Sequence, residues 1–462
     1  MLTNEGLHIT RPEFDSLKSK YTAKTFSVKE VLPKNIPTVI QKHPRILRLY
    51  RILNSNTVQI ARSMDQLLNN IEYKFEKCKK ITKYDLGDDI ADHQKIVLKS
   101  IVSSYANVNK CGTYFCQMAT GMGKSRLGIA LIGKVAASTM VIVPTKHIAN
   151  QWIEEMQYLV PELKVCLYSN PKDQSIENYD VMIVVINTAR NKDNKFFSQF
   201  ALCIIDEVHE CVSKINKEVM WLSSGCRFVL GLSATPEDTT NQLLPWLEGH
   251  LGKVKHARDL PGYNVLTKNF KVYVEVTKYI GDVDYLTPVL NTGGTVSFVN
   301  TLSKIISDPL RVELIINKIS KLYDGGNNIL VFAEHRKYLD SLYDILIKKY
   351  KKEDINLEAN VLKGGATPEE VERCKRSRII LTTFCYSRRG IDYSHLNSLV
   401  LATPRKSGIK QILGRILRFR SDERIPRHVV DIWDYATVLK GQLTERKRVY
   451  NSRNYPIKYS ED

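Results

Sequence analysis

The stretch of sequence that decides the fold lies between residues 118 and 125 and reads Met118-Ala119-Thr120-Gly121-Met122-Gly123-Lys124-Ser125. It follows the apolar segment 113–115, which is typical of a buried strand, and precedes apolar residues at helical spacing from Leu127 to Leu131. A strand, a glycine-containing loop and a Lys-Ser pair at the start of a helix form the arrangement that binds phosphate groups. This stretch therefore predicts an α/β domain with a phosphate-binding loop.

The residue types in this loop suit phosphate chemistry. Gly121 and Gly123 allow backbone N–H groups to close around phosphate oxygens. Lys124 can reach the β- and γ-phosphates, and Ser125 can ligate Mg²⁺. The pattern G-x-x-x-x-G-K-[ST] is broken at one place, because Met118 stands where its first glycine belongs. A Gly-Lys-Ser tripeptide can also occur by chance, so the loop alone does not decide the chemistry.

Short apolar runs of the length expected for buried parallel strands recur along the chain, separated by longer stretches with helical spacing. A first series lies at residues 139–144, 179–186, 201–205 and 227–232, and a second at 328–332, 379–381, 398–401 and 428–430. Strands that alternate with helices favour parallel sheets covered by helices. The two series therefore predict two tandem α/β domains.

This alternation is absent before the first series and between the two. Residues 1–85 carry 16 Lys+Arg against 8 Asp+Glu and no chemical motif, so they are either a scaffold surface or a nucleic-acid-binding arm. Turn signals at Pro261-Gly262 and 291–294 place the inter-domain connection nearby. The predicted organisation is an N-terminal accessory region at 1–85, a first α/β domain at 86–262, a connection at 263–310 and a second α/β domain at 311–462.

Composition limits the class of protein. The chain has 462 residues, of which 43% are hydrophobic and 25% charged, and these values exclude a disordered, collagen-like or coiled-coil chain. Its apolar runs are far shorter than the ~18 residues of a membrane span, and its N-terminus lacks the apolar segment of a signal peptide. The net charge of +19 indicates a polyanionic partner, although surplus charge can also serve solubility alone.

The nine cysteines are scattered along the chain without a C-x-x-C pair. Several lie within apolar runs, as free buried thiols do. We interpret them as thiols of an intracellular protein in a reducing compartment, in preference to a zinc site or a disulfide framework.

The second chemical element is a pair of carboxylates in Asp206-Glu207-Val208-His209. The pair directly follows the buried run 201–205, and ligands of open α/β sheets bind at the carboxyl ends of the strands. Asp206 is suited to hold Mg²⁺, and Glu207 to orient and deprotonate an attacking water. An acidic pair after a strand is often only a solvated turn, but together with Lys124 and Ser125 it favours nucleotide hydrolysis.

A third element lies in residues 411–418, where Gln411, Gly414, Arg415 and Arg418 fall on one face of a helix. Two guanidinium groups on one face suit the transferred phosphate of a nucleotide bound by the other domain. A basic surface helix is the alternative that spacing alone leaves open.

Together, these motifs resemble helicase superfamily 2, over residues ~90–435. The resemblance implies two tandem RecA-like domains that hydrolyse ATP, with Mg²⁺, in the cleft between them. The loop at 118–125 is similar to the family's phosphate loop, in which M-A-T-G-x-G-K-[ST] is common, and 206–209 matches its DExH box. Gln94 resembles the adenine-reading glutamine. The family also implies strand-binding roles for Pro144, Thr145 and Thr188, and a role in coupling hydrolysis to domain movement for Ser233, Ala234 and Thr235.

The second half carries the remaining motifs of the family. Residues 331–334 resemble motif IV. In the segment that resembles motif V, Thr382 and Thr383 correspond to contacts with the nucleic-acid backbone, and Gly390 and Asp392 to residues that face the nucleotide. Residues 411–418 match Q-x-x-G-R-x-x-R, which implies catalytic roles for Gln411, Arg415 and Arg418.

Within the superfamily, four segments are similar to DNA-directed helicases of large cytoplasmic DNA viruses, including poxviruses and African swine fever virus, and to a related phage branch: 141–146, 231–236, 388–391 and 402–405. This resemblance implies a DNA partner, transcription or replication proteins as further partners, and a place in the host cytoplasm or the virion. Three alternatives stay open: an RNA-directed helicase, a duplex-DNA translocase that does not unwind, and an inactive nucleic-acid-binding scaffold.

Overall fold

A computed structural model of the protein describes residues 1–30, 45–68, 71–107, 111–169, 176–238, 242–263, 270–364, 366–384, 393, 395–405, 408–417 and 422–461. The chain divides into two compact units, residues 1–266 and 267–462. Across the described ranges, helices long and apolar enough to cross a membrane are absent. The eight cysteines in these ranges are free thiols, and seven of them are buried.

The strands in chain order are β1 (Leu2–Thr3), β2 (Gly6–Thr10), β3 (Ser27–Lys29), β4 (Ile46–Arg48), β5 (Tyr50–Ile52), β6 (Thr57–Ile60), β7 (Tyr73–Lys74), β8 (Gly112–Gln117), β9 (Thr139–Val143), β10 (Val165–Leu167), β11 (Val181–Val185), β12 (Leu202–Ile205), β13 (Phe228–Ser233), β14 (Val254–His256), β15 (Val272–Tyr279), β16 (Ile329–Ala333), β17 (Ala359–Leu362), β18 (Ile379–Thr383), β19 (Ser398–Leu401), β20 (Arg427–Asp434) and β21 (Ile457–Glu461).

The α-helices are α1 (Arg11–Lys20), α2 (Ala23–Phe26), α3 (Asp92–Asn107), α4 (Lys124–Val135), α5 (Lys146–Leu159), α6 (Ile186–Ala189), α7 (Asn194–Phe197), α8 (Glu218–Ser223), α9 (Leu244–Leu251), α10 (Val283–Leu286), α11 (Phe298–Ile306), α12 (Pro309–Asp324), α13 (Arg336–Lys352), α14 (Pro368–Lys375), α15 (Ile409–Leu413) and α16 (Gln442–Ser452).

The main sheet of the first unit has seven parallel strands in the order β10-β11-β9-β12-β13-β8-β14. Its central strands β9 and β12 are buried along their whole length, as their continuous apolar sequences predict. Two apolar cores cover the two faces of the sheet. The four strands predicted in this half of the chain are confirmed.

Five strands from the N-terminal part of the chain form a second, mixed sheet in the order β5-β6-β2-β1-β7, and β3 pairs with β4 in a separate two-stranded sheet. Leu7, Phe14 and Val58 of this part of the chain lie in the same apolar core as Phe115 and Met140 of the seven-stranded sheet. The N-terminal residues therefore belong to the first unit, in contrast to the predicted separate region at 1–85.

Arg62 connects this N-terminal sheet to the main sheet. The side chain is 2% exposed and donates hydrogen bonds to the backbone carbonyls of Ser224, Cys226 and Arg227, which lead into β13. Three carbonyl acceptors replace the water that the buried guanidinium loses. The contact fixes the N-terminal sheet to the strand that ends at the predicted coupling residues.

The second unit is built on seven parallel strands in the order β17-β18-β16-β19-β20-β15-β21. Its four predicted strands are confirmed, so the α/β fold with two parallel-sheet domains is correct. β15 differs from the expectation, because it lies within the residues assigned to the inter-domain connection. Its alternating buried residues Val272, Val274 and Val276 pack into this unit's core, between β20 and β21.

Candidate nucleotide site and nucleic-acid contacts

The topology of the first unit brings its motifs to one edge. Strands β8, β13 and β12 are neighbours and parallel, so their carboxyl ends meet at the same side of the sheet. The phosphate loop follows β8, the acidic pair follows β12, and Thr235 follows β13. Residues more than 100 positions apart in sequence are thereby collected into one site.

The phosphate loop has the backbone geometry that its glycines allow. Gly121 has φ 82° and Gly123 has φ 77°, both in the left-handed region that side chains disfavour. Gly123 is the residue before α4, and Lys124 and Ser125 begin the helix. The helix N-terminus, with its free N–H groups and positive dipole end, suits an anionic phosphate.

Gln94 supports this loop through hydrogen bonds to its backbone. Its side chain is 3% exposed, and its amide nitrogen donates to the backbone carbonyls of Met122 (3.2 Å) and Gly123 (2.9 Å). Its carbonyl oxygen accepts from the Ala91 N–H (2.7 Å). A Cβ added to Gly123 would overlap the Gln94 amide. The structure thus shows Gln94 as a support of the phosphate loop, whereas its predicted adenine contact stays a prediction.

Lys124 and Glu207 bring the loop and the acidic pair together. Lys124 Nζ donates to Glu207 Oε1 over 3.1 Å, and the two side chains are only 13% and 22% exposed. Glu207 has φ 50°, an uncommon conformation for a residue with a side chain, at the turn that follows β12. Strained backbone at a strand end is typical of residues held for a function.

Trp152 fixes the neighbouring carboxylate. Its indole N–H donates to Asp206 Oδ2 over 3.2 Å, and the ring, 2% exposed, projects from α5 to lie beside Gly128 of α4. Burial, followed by the charge of Glu207, raises the pKa of Asp206 to about 6. Sequence reasoning missed Trp152. Trp152 lies 54 residues before Asp206 in the sequence, and no local pattern links the two residues.

The residues of this edge fit a divalent cation. Asp206 and Glu207 are adjacent acids with restricted access to water, and burial and the charge of Glu207 disfavour the charged form of Asp206. A cation at this place would relieve both effects. Ser125 lies in the first turn of α4, where a hydroxyl ligand is expected, and Mg²⁺ needs few protein ligands because it keeps several waters.

The predicted coupling residues contact the acidic motif directly. His209 Nδ1 lies 2.9 Å from Ser233 Oγ and 3.3 Å from Glu207 Oε2, and Ser233 Oγ accepts from the Thr235 N–H at 3.2 Å. Ser233, Ala234 and Thr235 are all buried. The carbonyl of Ala234 accepts from Gln117, which immediately precedes the phosphate loop. These contacts join the end of β13 to both nucleotide motifs.

The predicted strand-binding residues of the first unit lie at the same edge. Pro144 and Thr145 follow β9, and the Thr145 hydroxyl caps α5 by accepting from the Ile148 N–H at 3.4 Å. Thr188 lies in α6, directly after β11, and is partly exposed.

In the second unit the structure corrects two expectations. Thr382 is fully buried and its hydroxyl donates to the Leu362 carbonyl at 2.7 Å, so in this structure its side chain is not available to a nucleic acid. Thr383 is 6% exposed. The helix predicted through 411–418 ends at Leu413. Gln411 lies in it, and Arg415, 8% exposed, lies in the following turn. Gly390, Asp392 and Arg418 lie outside the described residues.

Comparison with known proteins gives a family model and relatives. Residues 88–238 match the family described as "Type III restriction enzyme, res subunit". "Putative ATP-dependent RNA helicase QP509L" of African swine fever virus is 37% identical over 376 residues, which cover 78% of this chain and 71% of the relative. "Putative ATP-dependent RNA helicase L396" of Acanthamoeba polyphaga mimivirus is 27% identical over 79% of this chain and 68% of its own length.

Among solved structures, that titled "S. cerevisiae Dbp5 bound to RNA and ADP BeF3" superposes with a TM-score of 0.53. The match covers 81% of this chain and 94% of the yeast chain at 13% sequence identity. At this identity the likeness concerns the fold, which is the same pair of parallel-sheet domains.

Proposed function

Because the chain belongs to the superfamily 2 ATP-dependent helicases of large DNA viruses, we propose that it is a DNA motor whose ATP site is the edge formed by 118–125, 206–209 and 233–235. The observation that carries this assignment is the 3.1 Å contact between Lys124 and Glu207. It unites a phosphate-binding lysine and a candidate general base in one partly buried site.

ATP binding changes the partner of Lys124. Phosphate oxygens compete with the Glu207 carboxylate for Lys124 Nζ, since the ammonium group lies between the phosphate loop and the acidic pair. Once Lys124 contacts phosphate, the Glu207 carboxylate can orient a water molecule and accept its proton. His209 is hydrogen-bonded to Ser233, so the rearrangement of Glu207 reaches the end of β13.

Mg²⁺ would be held by Ser125 and Asp206, where it would neutralise charge on the β- and γ-phosphates. Trp152 fixes the orientation of the Asp206 carboxylate by donating its indole N–H to Oδ2.

The remaining site residues are assigned by their match to the family motifs. Arg415 and Arg418 act as arginine fingers that stabilise the charge on the transferred phosphoryl group, with Gln411 beside them. Gly390 and Asp392 face the nucleotide. Gln94 reads the adenine in addition to supporting the loop.

DNA is the proposed nucleic-acid substrate, and it is bound through its phosphates by Pro144, Thr145, Thr188 and the backbone near Thr383. Backbone grip predicts little sequence preference and a strong dependence on salt. The DNA assignment is supported by the similarity of 141–146 and 231–236 to DNA-directed viral helicases and by a family model named for a restriction enzyme subunit. The viral relatives suggest work in the host cytoplasm or the virion beside transcription or replication proteins.

Two substitutions test the ATP site. Lys124→Ala should reduce ATP hydrolysis to background because it removes the phosphate contact. Glu207→Gln should do the same while leaving nucleotide binding in place, because the amide is isosteric but cannot accept the proton. Lys253→Ala is the control: this lysine is 84% exposed, in the segment that precedes β14 of the same sheet. Normal ATP hydrolysis by Glu207→Gln would reject the assignment.

Whether DNA or RNA is the substrate is determined by measuring the ATPase rate with single-stranded DNA, duplex DNA, branched DNA and RNA in parallel. Greater stimulation by DNA supports the proposal, and greater stimulation by RNA overturns it. Unwinding of a branched substrate would distinguish a helicase from a duplex translocase.

A further inference from the structure

Three aromatic side chains gather at the far edge of the second unit's sheet, and we call Trp433, Tyr435 and Tyr459 the aromatic platform. In the parallel register Lys278 is opposite both Trp433 and Glu461. Residues opposite each other project to the same face, and residues two apart in one strand do so as well. Tyr459 therefore shares a face with Lys278 and Trp433, at the carboxyl ends of β15, β20 and β21.

The rings contact one another but keep much of their surface open. Trp433 and Tyr435 have ring centroids 4.7 Å apart at 79°, and Trp433 and Tyr459 have centroids 6.5 Å apart at 64°. Tyr435 is 43% and Tyr459 47% exposed, far above the residues of the neighbouring core. The Trp433 indole N–H donates to the Lys440 carbonyl at 3.2 Å, which fixes the central ring. The platform is thus rigid at its centre and open at both ends.

Cations accompany the two outer rings. Lys278 Nζ lies 4.6 Å from the Tyr435 ring centroid, and Lys447 Nζ lies 5.3 Å from that of Tyr459. Glu461 pairs with Lys278 at 2.9 Å and is 74% exposed, so one acidic group also faces the platform. Residues 400–462 as a whole carry 14 Lys+Arg against 7 Asp+Glu. An anionic partner is therefore favoured over a cationic one.

We propose that the aromatic platform is a second nucleic-acid site, on which bases of a single strand stack while Lys278 and Lys447 contact the adjacent phosphates. Aromatic faces with interleaved cations are the arrangement that binds single strands without sequence preference, because every base offers a π-face. The platform lies at the carboxyl ends of its strands, as Thr383 does at the end of β18, which is three strands away from β20 in the sheet. The inference rests on the proposed function, since it adds a contact for the same strand.

Base stacking gives this site a property that phosphate contacts lack. A strand held only by its phosphates binds equally well with or without bases, whereas a stacked strand needs them. The probes are therefore a labelled oligo-dT of about 30 nucleotides, longer than a single binding site of ~4–16 nucleotides, and an abasic strand with the same number of phosphates.

The test compares Tyr435→Ala and Tyr459→Ala with Tyr273→Ala by fluorescence anisotropy. Tyr273 is a matched control because it is 48% exposed and also stacked, on His428 at 5.8 Å, but lies at the opposite end of β15. Each platform substitution should weaken oligo-dT binding by about tenfold, and Tyr273→Ala should not change it. Binding of the abasic strand should be the same for all variants. Phe at either position should preserve oligo-dT binding, because the ring is retained.

Unchanged oligo-dT affinity in the Tyr435→Ala/Tyr459→Ala double variant would overturn the inference, and so would equal losses for the oligo-dT and abasic strands. In the first case the platform would be an interface for a protein. The proposed function is tested separately by the DNA-stimulated ATPase of the wild-type chain, so a failure of the platform can be distinguished from a failure of the proposed function.

Discussion

Replacing Gly123 by alanine probes the phosphate loop at the point where backbone and neighbouring side chain both matter. The residue has φ 77°, and a Cβ at this position would overlap the Gln94 amide. Gln94 cannot simply turn away, since it is 3% exposed and held by hydrogen bonds to Ala91, Met122 and Gly123 itself.

The cost follows from these contacts. The left-handed conformation costs an alanine about 1–2 kcal/mol. Displacing Gln94 breaks three hydrogen bonds of about 0.5–1.5 kcal/mol each. The sum is about 2.5–6.5 kcal/mol, which the loop can relieve only by distorting. Because the undistorted loop is the one that surrounds phosphate, about 3 kcal/mol of this strain should weaken ATP binding by roughly 100-fold.

The assay is the Kd of a fluorescent ATP analogue, with circular dichroism as a check of folding. Gly87→Ala is the control: its φ is 54° in the same unit, and no atom lies within 4 Å of the added Cβ, so the ATP affinity should be unchanged. In Gly123→Ala combined with Gln94→Ala the steric part disappears and only the left-handed conformation still costs about 1–2 kcal/mol, so the loss of affinity relative to Gln94→Ala alone should fall to about 5–30-fold. A folded Gly123→Ala protein that binds the analogue within about twofold of wild type would refute the reasoning, since 1.4 kcal/mol already corresponds to about tenfold.

Two further predictions concern stability. His250 is buried between Trp221 and Trp246, its ring centroid is 4.6 Å from that of each tryptophan, and burial lowers its pKa to about 3. The unfolded histidine gains a proton below pH ~6.5 and the folded one does not, so lowering the pH from about 7 to about 5 should reduce the free energy of unfolding by about 2 kcal/mol. Urea unfolding of His250→Leu should lack this pH-dependent reduction. Arg62→Met removes a donor from the carbonyls of Ser224, Cys226 and Arg227, of which that of Arg227 still accepts from the Gly112 N–H. The substitution should cost about 2–3 kcal/mol in urea unfolding of the first unit, whereas a loss below about 1 kcal/mol would show that water replaces the guanidinium.

Much of the fold could be predicted because central parallel strands are buried on both faces and read as continuous apolar runs. β15 was not predicted because it has no continuous apolar run: exposed residues such as Tyr273 alternate with buried valines. Its partners, β20 and β21, lie more than 150 residues later in the chain, so no local pattern announces the pairing.

The site divides in the same way. Lys124, Ser125, Asp206 and Glu207 belong to contiguous motifs, and the order of the strands places them together. Trp152 was not predictable, because its role depends on how α5 packs against the end of β12 and not on a local pattern. The burial of the Thr382 hydroxyl also depends on a neighbouring strand, β17.

The contact of Arg62 with residues 224–227 has a consequence for synthesis. The N-terminal sheet leaves the ribosome before the main sheet, and the carbonyls that Arg62 binds are made about 160 residues after it. At ~5–20 residues per second this is a wait of roughly 10–30 s. During that time the apolar face around Leu7, Phe14 and Val58 lacks the part of its core that is made last, including Trp221 and Val229. The nascent chain is therefore expected to need chaperone protection over this interval, and removal of the first 85 residues would expose the matching face of the motor unit.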